Sequence, residues 1–160
     1  MTTRILKTLA SAVAAMGLLV GSAAALEVAS SATVAGNPDA VWKKIGDFCA
    51  IGTWHPAVSK CVQSDEGGAT YRTLTTTDGG TIKEKLVEQT DTSYTYAIID
   101  SPLPVANYRA TISVSAQGDG TRVDWKSSFD AKGKSDDEAK GVISSIYKAG
   151  LDKIAEMSGN

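Results

Sequence analysis

Three polar residues fall where a strand should carry apolar ones. Arg72, Glu84 and Tyr108 each share a strand face with leucine, isoleucine, alanine or valine in the runs 69–76, 81–89 and 106–116. A buried arginine and a buried carboxylate need each other, because an unpaired charge out of water is costly. Such a pair can fix strand register, orient the polar end of a ligand in an apolar pocket, or exchange a proton with a substrate; the sequence leaves all three open. His55, the one histidine, has no partner at a spacing that suggests a catalytic triad. Between Trp54 and Pro56 it reads as a packing residue or a cap on a cavity mouth, with ligand contact or proton transfer as the competing role. One histidine and no Cys-x-x-Cys give no metal-ligand set. Neither a metal nor a cofactor is expected, and no catalytic residue is assigned.

Strands must hold these side chains. Residues 26–35 are rich in small and β-branched types and predict a first strand. Asn37-Pro38 opens a short helix, with Asn as N-cap and Pro at the first helical position, and Val41, Trp42, Ile45 and Phe48 follow at helical spacing. The first helix is expected to end near Gly46 or Asp47; a second short turn runs over 50–53, and Trp54-His55-Pro56 closes the segment, since Pro disfavours helix at the residue before it. Six strands are predicted at 58–65, 69–76, 81–89, 93–100, 106–116 and 121–130. Gly67-Gly68, Asp78-Gly79-Gly80, Pro102 with Pro104, and Gly118-Asp119-Gly120 punctuate them. Turn signals about every 12 residues suit an antiparallel sheet. The last helix opens at Ser135 with a capping box to Glu138, and Asp136 and Asp137 sit at the positive end of its dipole. Val142, Ile143, Ile146, Tyr147, Gly150, Leu151, Ile154 and Met157 form its apolar stripe. The expected fold class is α+β: a curved antiparallel sheet of about seven strands wrapped around a long C-terminal helix, with one or two short helices after strand one. A sheet gripping a single helix tends to leave a cavity.

Alternation along each strand assigns faces. If Thr76 pairs with Gly80 across a three-residue loop, Leu74 faces Ile82 and Arg72 faces Glu84 on the concave side. Strand six adds Tyr108, Ala110, Ile112 and Val114 to that side, and strand seven adds Val123, Trp125, Ser127 and Phe129. Trp125 and Tyr147 read as core or as ligand contacts.

The N-terminus carries Arg4 and Lys7, then an uncharged apolar run over 8–20, then Ala23-Ala24-Ala25. This order predicts a signal peptide over 1–25 with cleavage after Ala25. The apolar run is short of the about 20 residues that span a bilayer, so an uncleaved anchor is the weaker alternative and no stable membrane insertion is expected after cleavage. Residues 26–160 then form a single domain, periplasmic or secreted. Without Arg4 and Lys7 the chain has a net charge of −4. With no basic cluster, nucleic acid is a poor partner. Export to an oxidising compartment favours a Cys49–Cys61 disulfide over two buried thiols; closing a loop of about 15 residues contributes up to about 3 kcal/mol in the chain-entropy model.

Several segments, in this order and spacing, carry a resemblance: Pro38-Asp39-Ala40-Val41-Trp42, Trp54-His55-Pro56, Tyr71-Arg72-Thr73-Leu74, Gly80-Thr81-Ile82-Lys83-Glu84-Lys85-Leu86, Asn107-Tyr108 and Thr121-Arg122-Val123-Asp124-Trp125. With them the chain resembles the START/birch-pollen-allergen superfamily (SRPBCC), which includes polyketide cyclase/dehydrase and lipid-transport proteins. The resemblance implies a helix-grip domain whose cavity takes hydrophobic ligands. It also implies that Arg72, Glu84 and Tyr108 match cavity-facing positions of the plant abscisic-acid receptors. The chain departs from those receptors at Asp78-Gly79-Gly80, too short for their gating loop, and at Pro102-Leu103-Pro104-Val105, where their His-Arg-Leu latch is missing. Hormone-gated signalling is therefore not expected.

Together these readings predict a binding protein that holds a small lipid-like or aromatic molecule between sheet and terminal helix. The expected contacts are Arg72, Glu84, Tyr108, Trp125, Leu74, Ile82, His55 and Tyr147. The alternatives are a cyclase or dehydratase, and an accessory protein to a periplasmic dehydrogenase with a protein partner.

Overall fold

A computed structural model describes residues 24–159. The expected signal peptide lies outside the described residues except for Ala24 and Ala25. The elements run β1 (Leu26–Val34), α1 (Pro38–Ile45), α2 (Ile51–Trp54), β2 (Val58–Glu66), β3 (Ala69–Thr76), β4 (Thr81–Gln89), β5 (Ser93–Asp100), β6 (Val105–Gln117), β7 (Gly120–Ala131) and α3 (Asp136–Ser158). The seven strands form one antiparallel sheet in the order β1-β7-β6-β5-β4-β3-β2. The fold is a helix grip: the sheet curves around α3, while α1 packs on β6 and β7 and α2 on the edge strand β2. No helix among the described residues is long and apolar enough to cross a membrane.

Local chemistry explains the ends of the elements. The Ala40 amide donates to Asn37 Oδ1 at 2.9 Å, capping α1. This helix ends at Ile45 with Gly46 as its C-cap; the Trp42 ring lies over Gly46, where a Cβ would come within 2.3 Å of it. Phe48, at helical spacing in the sequence, therefore falls in the turn beyond α1, yet is buried. Ser135 and Glu138 complete a reciprocal capping box at the start of α3. That helix buries Ala139, Ile143, Tyr147, Gly150, Leu151 and Ile154; Val142, Ile146 and Met157 from the expected stripe are half-buried at its flanks.

Bulges give the sheet its curvature. Register shifts interrupt β2–β3, β4–β5 and β6–β7, and each bends its strand. In β6 the irregularity is Asn107, held at φ 52° with its side chain donating to Asp130 at 2.7 Å. It lets Val105 and Tyr108 both turn inward, which strict alternation forbids. From Tyr108 onward alternation holds: Tyr108, Ala110, Ile112 and Val114 are buried, as are Val123, Trp125, Ser127 and Phe129 on β7. Cys49 and Cys61 form a disulfide across a Cα–Cα span of 5.6 Å, tying the turn before α2 to β2.

Candidate ligand cavity

The turn between β3 and β4 sets the polar centre. The Thr76 amide donates to the Gly80 carbonyl at 2.9 Å, and Asp78 Oδ1 accepts from the Gly80 amide at 3.2 Å. Gly79 sits at φ 90°, a conformation that favours glycine. This closure puts Leu74 opposite Ile82 and Arg72 opposite Glu84.

Arg72 is fully buried. Its Nε donates to Glu84 Oε2 at 2.5 Å. Nη1 donates to the Phe48 carbonyl and approaches the Tyr94 hydroxyl at 3.5 Å. Nη2 has no hydrogen-bond partner, but the guanidinium lies 4.1 Å over the Phe48 ring and 5.0 Å from that of Tyr96, and aromatic faces attract a desolvated cation. Burial alone would push the Arg72 pKa down; Glu84, aided by the Tyr94 and Tyr96 hydroxyls, holds it above its ordinary value. Burial likewise raises the Glu84 pKa, against the pull of Arg72.

Beside this pair lies a cavity of about 280 Å³, near the lower end of small-molecule sites. Glu84, Tyr108, Trp125, Leu74, Ile82, His55 and Tyr147 all line it, and Arg72 does not. The expectation that Arg72 contacts the ligand is thus corrected. Packing between Phe48, Tyr94 and Tyr96 holds it behind Glu84, where it positions that carboxylate. The exposed residues Ala57, Thr77, Asp78 and Pro102 also line the cavity, so its mouth opens at the α2–β2 junction, the β3–β4 turn and the β5–β6 loop.

The wall opposite β4 is aromatic. Trp125 stacks on Tyr147 with ring centroids 4.3 Å apart and donates from Nε1 to the Tyr96 hydroxyl at 3.1 Å. The Tyr108 and Tyr147 hydroxyls bond to each other. Burial raises all three tyrosines; Tyr108, where the Tyr147 and Tyr96 contacts oppose it, is pushed up to about 12. They stay neutral donors and acceptors at physiological pH.

His55 has both ring nitrogens engaged. Nδ1 accepts from the Ala57 amide at 3.1 Å, so Nε2 carries the proton and donates to the Ile146 carbonyl at 3.1 Å. Burial lowers its pKa below 6.5; the Ile146 carbonyl opposes that shift, and Arg72 adds to it. His55 therefore joins the α2–β2 junction to α3 as a neutral ring, with only carbon edges free toward the cavity.

Sequence reasoning missed Phe48, Tyr94 and Tyr96. For the tyrosines the signal was present: Tyr94, Tyr96 and Ile98 alternate along β5 like the assigned faces of its neighbours. Among the described residues no group of three or more His, Cys, Asp or Glu is arranged to hold a metal.

The site is an apolar cavity between a gripping sheet and one helix, with Glu84 in its wall and Asp78 at its mouth. The chain belongs to the polyketide cyclase / dehydrase and lipid transport family, whose model matches residues 25–158. It is similar to the protein XoxI from Bacillus cereus at 31% identity, covering 84% of this chain and 96% of that one, with a TM-score of 0.78. In fold alone it resembles the Zhui aromatase/cyclase from Streptomyces sp. R1128 at 16% identity, covering 84% and 94% of the two chains, TM-score 0.67. The di-domain aromatase/cyclase StfQ of the steffimycin biosynthetic pathway is a second fold match, at 15% identity, 85% and 51% coverage and TM-score 0.69. No curated protein matches the chain.

Proposed function

We propose that this protein is an exported binding protein that holds one small, mostly apolar molecule in the cavity between β3–β7 and α3. The observation that carries the reading is the cavity itself: about 280 Å³ remains among large aromatic side chains that fill such space in an ordinary core. Burying about 200 Å² of apolar ligand surface contributes roughly 5 kcal/mol gross, from which the cost of immobilising the ligand must be subtracted. Polar contacts at Glu84 and the Tyr108–Tyr147 pair would add to this and fix orientation. Export is supported by the basic–apolar–small order of residues 1–25 and by the Cys49–Cys61 disulfide.

An enzymatic reading is favoured by one feature, a buried carboxyl with a raised pKa on the cavity wall. Against it, His55 is held as a structural ring with both nitrogens occupied, and the second carboxylate, Asp78, sits at the rim, engaged in the β3–β4 turn. Native mass spectrometry of the protein purified from its own host distinguishes the readings. A retained small molecule, released by organic solvent, is the expected result. An empty protein that turns over an added aromatic or polyketide substrate would overturn it.

A further inference from the structure

The polarity of the cavity is one-sided. Glu84 and the rim residue Asp78 are its acidic members, and among the described residues no lysine or arginine lines it. The nearest cation, Arg72, is sealed behind the wall under the Phe48 ring. Arg72 engages Oε2 of Glu84 only. Oε1 meets no donor among the described residues, although the side chain is 6% exposed. An accessible carboxylate oxygen on a cavity wall, with no protein donor, is free to accept from the occupant. The Tyr108–Tyr147 hydroxyl pair, on the same cavity, offers a second polar contact that can donate or accept.

Resting on the binding reading above, we infer that the cavity selects a neutral apolar molecule ending in a hydroxyl, whose O–H donates to Glu84 Oε1, and turns away carboxylates. A carboxylate would bring a second acceptor-only anion against Glu84 while the one countercharge is already engaged. An ammonium would share a single carboxylate with Arg72 and leave net positive charge between apolar walls. A hydroxyl meets the open acceptor and adds no charge.

The test compares three probes of one skeleton: benzyl alcohol, benzoate and toluene, titrated calorimetrically into the wild-type protein at pH 7.5. Benzyl alcohol is expected to bind about 10-fold tighter than benzoate and several-fold tighter than toluene, because a hydrogen bond to an ionised acceptor is among the stronger ones. In Glu84→Gln, whose amide can also donate, the gap between alcohol and benzoate should close. If that variant does not fold, the wild-type series decides alone. Benzoate binding as tightly as benzyl alcohol, or toluene matching it, overturns the inference while the cavity reading stands. If none of the three binds, both fall.

Discussion

Arg72 and Glu84 are a case where half a pair is worse than none. Arg72→Met strands a carboxylate among Phe48, Tyr94 and Tyr96 and should cost about 3–5 kcal/mol in urea unfolding. The double variant Arg72→Met/Glu84→Leu should recover most of that loss, short of about 1–3 kcal/mol for the Phe48 carbonyl left without its donor. A double variant as unstable as the single would show that the bond to Phe48, not the charge pair, governs the site. His55 gives a pH signature. Its folded pKa lies below 6.5, so between those values the unfolded chain binds more protons, and the histidine's contribution, complete above 6.5, is lost as pH falls. The stability difference between wild type and His55→Asn should shrink from pH 7.5 to 5.5; a constant difference would refute the neutral, doubly bonded ring. The facing of Arg72 and Glu84 was legible because strand parity and a glycine-rich turn fix register together. The depth of Arg72 was not, since parity names a face and says nothing of which large rings crowd it.

At the scale of elements, α3 carries two glycines with opposite expectations. At Gly150 a Cβ would come within 2.8 Å of the Trp125 ring and 2.9 Å of the His55 ring. Gly150→Ala must push these apart and should cost about 1–3 kcal/mol. At Gly141 a Cβ meets nothing within 4 Å, so Gly141→Ala should stabilise by about 0.5–1 kcal/mol through helix propensity and reduced unfolded-state freedom. Thermal unfolding of both variants checks the placement of α3 on the sheet; equal shifts in one direction would contradict it. The disulfide anchors α2 in the same way. Replacing both cysteines by serine should lower stability by about 2–3 kcal/mol, read in urea under nonreducing conditions. Helix α3 was readable in full because its cap, acidic first turn and apolar stripe agree. The bulge at Asn107 was not, because it involves pairing with β7 and a contact to Asp130 across the sheet, which local sequence does not display.

The whole molecule is a shell of strands closed by one helix, and the placement of its large aromatics decides what it can hold. Trp54 and Trp125 meet edge to face, and Trp125 stacks on Tyr147, forming one wall. Between that wall and Leu74, Ile82 and Ile143 a cavity stays open at Ala57, Asp78 and Pro102. Family membership accounts for the shell; the residues of this chain place the Glu84 carboxylate in its wall. The most direct test of the cavity as a ligand site is a backbone-amide NMR titration with toluene. Saturable shifts are expected at the cavity residues Leu74, Ile82, Glu84, Tyr108 and Ile143, with their loss in Ile143→Trp, where the larger ring fills the space. Shifts confined to the convex face, or undiminished binding by a folded Ile143→Trp, would contradict it.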